Sequence, residues 1–266
     1  MPQSSRKTRD RHLAKLAERR RRERTRRRRQ RILAASVAIA VAVGGLGFAA
    51  YALILNNPTK PAASPTATPT PSVTPGGVAC GASVPKAAEV EKKTYKKPPK
   101  VTIDAKKTYR ATLKTSCGTI VFQLDRKLAP NTVNSFVFLA KQHFFDGLIF
   151  HRISREFVIQ GGDPTGSGSG GPGYKTVDAP PKDSKYPVGV VAMAKSGDEA
   201  AGTSGSQFFI VIGKEAELPP DYAIIGKVIK GQDVAEKIGA LPIEGGASDG
   251  RPAQTVYIEK VTIKAS

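Results

Sequence analysis

From residue 109 onward, apolar and polar residues alternate in short runs that glycine-rich turns separate. Alternation of this kind predicts half-buried β-strands, because successive side chains of a strand point to opposite faces. The runs lie at residues 109–115, 119–124, 148–153, 158–161, 188–194, 207–212, 223–228 and 256–263. Many short strands with frequent turns predict a closed barrel or a sandwich.

Two stretches between these runs have the spacing of helices instead. Pro130 suits the first turn of a helix, and apolar residues then recur every three or four positions through residues 131–142. Residues 232–238 form the second candidate. The sequence therefore predicts a mainly β domain with two helices.

The N-terminal part of the chain carries an apolar run of a different kind. Residues 32–55 contain no charged side chain, and a helix of this length exceeds the roughly 20 residues that span a bilayer. Arginines at 19–22 and 26–29 precede the run, as expected for the cytoplasmic end of a membrane helix. We therefore expect one membrane-spanning helix, with residues 1–31 in the cytoplasm and the rest of the chain outside it.

A cleaved signal peptide is the main alternative to this anchor. Ala50-Tyr51-Ala52 has the small-x-small form of a cleavage site. The apolar run continues past it, however, and is longer than the apolar region of about 7 to 15 residues in signal peptides. This favours the uncleaved anchor, whereas the paired arginines are only a weak signal for twin-arginine export.

The segment before the first strand contains little that could fill a core. Prolines recur through residues 58–77 among threonine, serine and alanine, which predicts an extended spacer. Residues 86–107 are rich in lysine and read as a solvated lead-in, with contact to anionic envelope polymers or lipid as the alternative. The predicted organisation is a basic cytoplasmic tail (1–31), a transmembrane helix (32–55), a Pro/Lys-rich linker (56–107) and one folded domain (108–266).

The net charge of +20 suggests a nucleic-acid binder until it is divided along the chain. Residues 1–31 carry 15 basic and 3 acidic residues, whereas residues 115–266 carry 16 of each. Residues 115–266 are therefore neutral, and attraction to anionic lipid explains the basic tail better than nucleic acid does. We expect no nucleic-acid partner.

Two motifs in the β-rich part carry the functional signal. The first begins at Phe150 and reads FHRISREFVIQGGDP, and the second begins at Gly205 and reads GSQFFI. Together they closely resemble the cyclophilin family of peptidyl-prolyl cis-trans isomerases, over about residues 109–263. The resemblance implies an eight-stranded antiparallel barrel with a helix covering each open end, and an enzyme that rotates X-Pro peptide bonds.

The resemblance also implies which residues form the site. Arg152 matches the catalytic arginine, Gln160 matches the glutamine that holds the substrate backbone, and Phe209 completes the catalytic set. Arginine suits this role because it stays charged and presents several fixed donors. The implied substrate-binding residues are Phe157, Val158 and Leu218 below the proline ring, Gln207 as a polar wall, Tyr222 where many members have histidine, and the backbone around Ala194 and Lys195.

The chain departs from the family pattern at residues 194–202. This stretch is about three residues longer than the commonest pattern and lacks the usual asparagine after the alanine. The resemblance therefore implies backbone pairing with the peptide there, but no particular side-chain preference.

Cofactor and metal sites are not expected. Residues 166–171 match a G-x-G-x-x-G pattern, but Pro172-Gly173 follows where a dinucleotide site needs a helix. The three histidines have no ligand partners at recognisable spacing.

Cys80 and Cys117 are the only cysteines, and the predicted topology would place both in an oxidising exterior. Cys117 lies at a predicted hairpin turn and Cys80 at the end of the spacer, so a disulfide would clamp the lead-in segment to the barrel. We expect this disulfide; two independent thiols are the alternative.

These observations predict a membrane-anchored, extracytoplasmic isomerase that assists protein folding as a monomer. Its substrates would be Pro-containing segments of unfolded or exported proteins. A non-catalytic binding module for Pro-containing segments of envelope proteins is the alternative.

Overall fold

The computed structural model describes residues 76–266, except for the side chain of Glu215. The predicted tail (1–31), the predicted membrane helix (32–55) and the first part of the predicted linker (56–75) lie outside the described residues. No helix in residues 76–266 has both the length and the hydropathy that crossing a bilayer requires.

Eight antiparallel strands form a closed barrel. In chain order they are β1 (Tyr109–Thr115), β2 (Gly118–Leu124), β3 (Leu148–Ser154), β4 (Val158–Gly161), β5 (Val190–Met193), β6 (Phe208–Val211), β7 (Ile224–Lys230) and β8 (Tyr257–Ala265). Around the barrel the order is β3-β8-β1-β2-β7-β5-β6-β4, and pairing of β4 with β3 closes it. Closure leaves none of the eight strands with an unpaired edge.

Shorter elements complete the fold. Helix α1 spans Pro130–Lys141 and α2 spans Gln232–Gly239. Two-residue strands pair Thr176–Val177 with Thr203–Ser204, Tyr186–Pro187 with Glu215–Ala216, and Asp249–Gly250 with β3. Short 3-10 helices occupy Ala79–Gly81, Lys86–Glu89 and Glu244–Gly246.

The eight strands and two helices that the sequence predicts in residues 109–263 are all present. Each of the eight strands and both helices begin and end within two residues of the predicted bounds. The mainly β, closed-barrel fold is therefore confirmed.

The hydrophobic core fills the barrel, and alternation along the strands decides which residues enter it. In β1, Ala111 and Leu113 are fully buried, whereas Lys114 is exposed. Helix α1 adds Phe136, whose ring stacks on Phe145 with centroids 4.8 Å apart. Burying a side chain of this size contributes roughly 1.5 to 3 kcal/mol, so these contacts dominate the stability of the barrel.

Residues 83–107, which we call the strap, pack against the domain. Tyr95 makes an edge-to-face contact with Phe138 of α1, with ring centroids 5.1 Å apart. Lys92 donates from Nζ to the backbone oxygens of Ala87, at 2.9 Å, and Asp146. These contacts tie the middle of the strap to α1 and to the loop that follows it.

A buried side chain of α1 holds the last part of the strap. Asn134 accepts a hydrogen bond at Oδ1 from the backbone N–H of Thr102, at 2.9 Å. Its Nδ2 donates to the backbone oxygen of Lys100 at 3.0 Å. Because an unpaired amide would be costly in this buried position, the strap satisfies a group that the barrel alone would leave without a partner.

The strap differs from the solvated lead-in that the lysine-rich composition suggests. Small and aromatic residues between the lysines, such as Ala88 and Tyr95, pack inward while most lysine side chains remain exposed. Composition alone does not reveal this, because the contacting residues have no regular spacing. The folded unit therefore includes much of the segment that the sequence assigns to a linker.

A disulfide joins Cys80, just before the strap, to Cys117 in the turn between β1 and β2. The two Cα atoms are 5.1 Å apart, and the bond links positions 37 residues apart in the chain. The strap is thus fastened at its beginning by a covalent bond and along its length by packing and hydrogen bonds.

Replacing both cysteines with serine should lower the free energy of unfolding by about 2 to 4 kcal/mol, because the unfolded chain regains its freedom. Denaturant unfolding measures this loss, and amide exchange should accelerate in the strap more than in the barrel. Either single replacement should cost as much as both together, since each removes the bond. Alkylation of both cysteines in the unreduced, exported protein would contradict the disulfide.

Candidate active site

A row of side chains crosses neighbouring strands on the outside of the barrel. Arg152 in β3 lies opposite Gln160 in β4, Gln160 lies opposite Phe209 in β6, and Phe209 lies opposite Ala192 in β5. Residues directly opposite each other in antiparallel strands have side chains on the same face. The three residues of the expected catalytic set are therefore neighbours.

A β-bulge in β3 turns Arg152 toward this face. Phe150 and Arg152 are two residues apart and would share a face in a regular strand, yet Phe150 packs in the barrel core. Phe150 pairs with Gly161 and Arg152 with Gln160, so His151 is an extra residue in β3. The extra residue reverses the alternation and directs the guanidinium outward.

The row borders a cleft of about 120 Å³. Its floor is apolar: Phe209 is almost fully buried, and Tyr222 meets it edge to face with ring centroids 5.6 Å apart. The hydroxyl of Tyr186 fixes the backbone of Tyr222, donating to its oxygen at 2.9 Å and accepting from its N–H at 3.1 Å. The residues around the cleft are Arg152, Phe157, Val158, Gln160, Ala194, Lys195, Phe209, Leu218 and Tyr222.

Nine of the ten site residues expected from the sequence thus line one cleft. The tenth, Gln207, lines an adjacent cavity of about 200 Å³. Gln160, Ala194 and Lys195 line both spaces, so the two form a continuous surface. The adjacent space is more polar, because a glycine-rich loop and Lys175 border it.

A directional chain of hydrogen bonds fixes the polar side chains. Arg152 donates from Nε and Nη2 to the carboxylate of Asp249, at 2.7 Å for Nε, and from Nη1 to Gln160 Oε1 at 3.1 Å. Gln160 donates from Nε2 to Gln207 Oε1 at 3.0 Å. Gln207 then donates from Nε2 to two backbone oxygens, both at 2.9 Å. Each amide is oriented by a donor on one side and an acceptor on the other.

Asp249 is a site residue that the sequence did not reveal. Its short strand pairs with β3 opposite Ser154, which brings the carboxylate beside Arg152. The hydrogen bond from Arg152 outweighs desolvation and holds the pKa of Asp249 below its ordinary value. The two residues are 97 positions apart, and no local motif marks the aspartate.

Asp163 holds the glycine-rich loop, residues 163–171, whose backbone accepts hydrogen bonds from Gln207. Desolvation would raise the pKa of Asp163, but hydrogen bonds from Thr165, Gly170 and Gly168 outweigh it and the pKa is lowered. The backbone oxygens of Gly168 and Gly170 are the acceptors for Gln207. A Cβ at position 170 would lie 2.1 Å from Asp163 Oδ1, so glycine is required for this close approach.

The segment at 194–202, which is longer than in the common family pattern, borders the cleft and is held by contacts within the segment. Lys195 donates from Nζ to the backbone oxygen of Glu199 at 3.0 Å and lies over the Tyr222 ring, 5.6 Å from its centroid. The Glu199 carboxylate pairs with Lys175 at 2.9 Å, and this contact lowers the pKa of Glu199. The backbone N–H of Ala194 donates to the backbone oxygen of Gln207 at 2.9 Å, which ties the segment to the start of β6.

His151, the bulge residue, is buried, and neither ring nitrogen has a hydrogen-bond partner in the described part of the chain. Burial lowers the pKa of His151; Asp163 opposes this shift, whereas Arg251 and Arg152 add to it. The imidazole is therefore neutral at physiological pH and adds no second positive charge beside Arg152. In residues 76–266 no three His, Cys, Asp or Glu side chains are grouped as a metal site would require.

Comparison with known proteins agrees with this fold and cleft. The family model for cyclophilin type peptidyl-prolyl cis-trans isomerases matches residues 110–263. Peptidyl-prolyl cis-trans isomerase A of Mycobacterium tuberculosis is 41% identical over 175 residues, which cover 59% of this chain and 92% of that protein. Peptidyl-prolyl cis-trans isomerase-like 3 of Rattus norvegicus is 37% identical over 159 residues, covering 58% and 96%.

A solved structure gives the same result. The crystal structure of a cyclophilin type peptidyl-prolyl cis-trans isomerase from Cryptosporidium parvum superposes with a TM-score of 0.54 at 29% identity. The match covers 60% of this chain and 99% of the Cryptosporidium chain. The protein therefore belongs to the cyclophilin family, whose members bind Pro-containing peptides, and is a cyclophilin-type peptidyl-prolyl cis-trans isomerase.

Replacing Asp163 with asparagine should open the glycine-rich loop. We expect faster exchange of the Gly168 and Gly170 amides and a loss of about 1 to 3 kcal/mol, because the charged acceptor of several partly buried hydrogen bonds is removed. The lowered pKa of Asp163 means that its stabilisation is present above its ordinary value of 3.8 and is lost as the pH falls through the lower folded value. The stability difference between the two proteins should therefore shrink in acid.

Amide exchange and denaturant unfolding at pH 7 and pH 3 measure these effects. Ser169→Ala, which removes an exposed hydroxyl from the same loop, is the matched control and should leave the Gly170 amide unchanged. Equal stability of Asp163→Asn and wild type at pH 7 would contradict the role of the carboxylate.

Proposed function

We propose that the protein is a membrane-anchored isomerase that assists the folding of proteins outside the cytoplasm, acting as a monomer on exposed Pro-containing segments. The single observation that carries its chemistry is the cleft, in which a fixed guanidinium lies beside an apolar floor. Its location rests on the one-sided arginines and the apolar run at 32–55.

The reaction needs electrostatics and shape rather than acid–base groups. Rotation about an X-Pro bond breaks amide conjugation, with a barrier of about 18 to 20 kcal/mol, but it transfers no proton. A catalyst must therefore bind the twisted amide more tightly than either planar form. The cleft needs no nucleophile and no cofactor for this task.

The guanidinium of Arg152 is the group that can stabilise the twisted X-Pro amide. Loss of conjugation leaves a lone pair on the prolyl nitrogen, which accepts a hydrogen bond far better than a planar amide nitrogen does. Arginine has five N–H groups, and the contacts with Asp249 and Gln160 occupy three of them. The remaining donors are available to the substrate, and the guanidinium does not have to reorganise to offer them.

The other cleft residues divide into a floor and a wall. Phe209, Val158 and Leu218 provide apolar surface for the proline ring, with Phe157 and Tyr222 beside them. Gln160 and Gln207 hold the peptide backbone, and the main chain at Ala194 and Lys195 lines the path of the residues that precede proline. The cleft therefore offers contacts to the substrate on both sides of the X-Pro bond.

A second candidate is a module that holds Pro-containing segments of envelope proteins without useful turnover. The apolar floor would serve either role, whereas a guanidinium held in place by Asp249 offers fixed donors that could stabilise a twisted amide. The position of Arg152 therefore favours a catalytic cleft over a binding module.

Arg152→Ala should lower kcat/KM on an Ala-Pro peptide by at least about tenfold, equivalent to about 1.4 kcal/mol of barrier. Asp249→Ala should cause a smaller loss, because Arg152 remains but its guanidinium is free to move. In the double variant, loss of Asp249 should add little to loss of Arg152, since the aspartate acts through the arginine.

Rates from peptide isomerisation assays and binding of the same peptide separate the two candidate functions. Arg155→Ala is the matched control, because Arg155 is an exposed arginine that follows β3 and lies outside the cleft. Full activity of a folded Arg152→Ala variant would contradict its assigned role. Additive losses in the double variant would show that Asp249 acts elsewhere.

Among the described residues, only the disulfide gives evidence about the compartment in which the domain lies. A bond between Cys80 and Cys117 fits an oxidising compartment, where such bonds persist. A cleaved signal peptide would export the domain as well, but it would release the domain from the membrane. The proposal of an uncleaved anchor rests on the length of the apolar run beyond Ala52.

Protease added to intact cells should remove the isomerase domain and leave a small membrane-bound remnant that includes residues 32–55. The reason is that residues 1–31 stay in the cytoplasm while the domain is outside. Membrane fractionation with detection at both ends of the chain measures this. Recovery of a soluble species beginning at Leu53 would support cleavage, and protection of the domain would contradict export.

A further inference from the structure

The strands that do not carry the cleft present a basic outer face. On β8, β1, β2 and β7 the outward positions hold exposed cations separated mainly by threonine and glutamine. These cations are Arg110, Lys114, Lys227, Lys230, Lys260 and Lys264. We call this surface the basic face.

The register places like charges directly opposite each other on this face. Arg110 of β1 pairs with Lys264 of β8, and Lys114 pairs with Lys260. Like charges in directly opposite positions of a sheet are destabilising. Of these six cations, only Lys114 has a carboxylate partner among the described residues, Glu259 at 2.8 Å. The two like-charged pairs therefore do not stabilise the sheet, and the fold itself does not account for cations at these positions.

The basic face and the cleft lie on opposite halves of the barrel. The order around the barrel puts β8, β1, β2 and β7 in one continuous half and β5, β6, β4 and β3 in the other. The N-terminal segment arrives on the basic half, because Cys80 is bonded to Cys117 between β1 and β2, and Val78 pairs with Thr255 just before β8. The strap begins there too.

We propose that the basic face binds the surface of an anionic lipid bilayer. It is a broad sheet surface rather than a groove, and a bilayer offers a matching plane of negative charge. Each lysine or arginine near such a surface contributes about 1 kcal/mol, or about fivefold in binding. Strand β7 adds Ile229, an exposed apolar side chain, beside Lys230.

A nucleic-acid partner fits this face less well. Single strands are bound through aromatic side chains on which bases stack. The outward positions of the four strands hold threonine, glutamine, valine and isoleucine between the cations, and no aromatic residue. Charge without stacking groups suits lipid headgroups.

This orientation would turn the cleft away from the bilayer and toward approaching substrates. It does not depend on the proposed anchor, since the charges themselves supply the attraction. The anchor would only raise the local concentration of the bilayer at the point where the chain enters the domain.

Amine-reactive footprinting of the full-length protein in vesicles tests this proposal. In phosphatidylglycerol vesicles, labelling of Lys260 and Lys264 should be slower than in phosphatidylcholine vesicles by at least about threefold, because the anionic surface shields them. Lys182, Lys185 and Lys214, which lie in loops on the other half of the barrel, serve as internal controls. Raising the salt to about 1 M should abolish the difference, because the Debye length falls to about 3 Å.

A charge-deleted variant provides the second arm. Arg110→Gln/Lys227→Gln/Lys264→Gln should lose the shielding of Lys260 in phosphatidylglycerol vesicles while keeping wild-type activity on a soluble peptide, which also shows that it folds. The matched control, Lys182→Gln/Lys185→Gln/Lys214→Gln, loses the same charge and should keep the shielding.

Two results would overturn the proposal. One is equal labelling of Lys260 and Lys264 in both kinds of vesicle. The other is shielding by soluble polyphosphate but not by vesicles, which would assign the face to an anionic polymer. Because peptide isomerisation is measured on the same samples, failure of the lipid contact is distinguishable from failure of the proposed enzyme function.

Discussion

The pairing between β3 and β4 determines where the chemistry of this protein lies. Without the extra residue in β3, Arg152 would share the inward face of Phe150 and enter a core of packed aromatic rings. Burying a guanidinium there would be costly, because a charge would lose its hydration. A carboxylate partner would not remove this cost, since a second charged group would then also have to be desolvated. The bulge has its own cost, because His151 is buried without hydrogen-bond partners among the described residues.

The cleft works as a rigid arrangement of donors and apolar surface. Asp249, Arg152, Gln160 and Gln207 form one hydrogen-bonded chain, which ends on a loop that Asp163 holds. Such a chain fixes each side chain through its neighbours, so no single contact has to be strong. For a reaction that only redistributes charge within an amide, fixed donors are the main contribution that a protein can make.

The same alternation of strand residues gives the barrel two different outer faces. One half carries the cleft, and the other carries cations whose mutual repulsion the fold tolerates. The disulfide joins Cys80 to the turn between β1 and β2, which lies on the basic half of the barrel. The cleft and the proposed lipid-binding face therefore lie on opposite sides of one small domain.

The sequence by itself determined the strands, the helices and nearly all of the cleft. Alternation is a local property and indicates the strands. The motifs at 150–164 and 205–210 are contiguous and resemble those of cyclophilins, and this resemblance identified Arg152, Gln160, Gln207 and Phe209 without coordinates. Only the tertiary structure brought in Asp249, packed the strap on α1 and paired Arg110 with Lys264. These depend on contacts between distant parts of the chain, which arise from barrel closure and strand register and leave no periodic trace in the sequence.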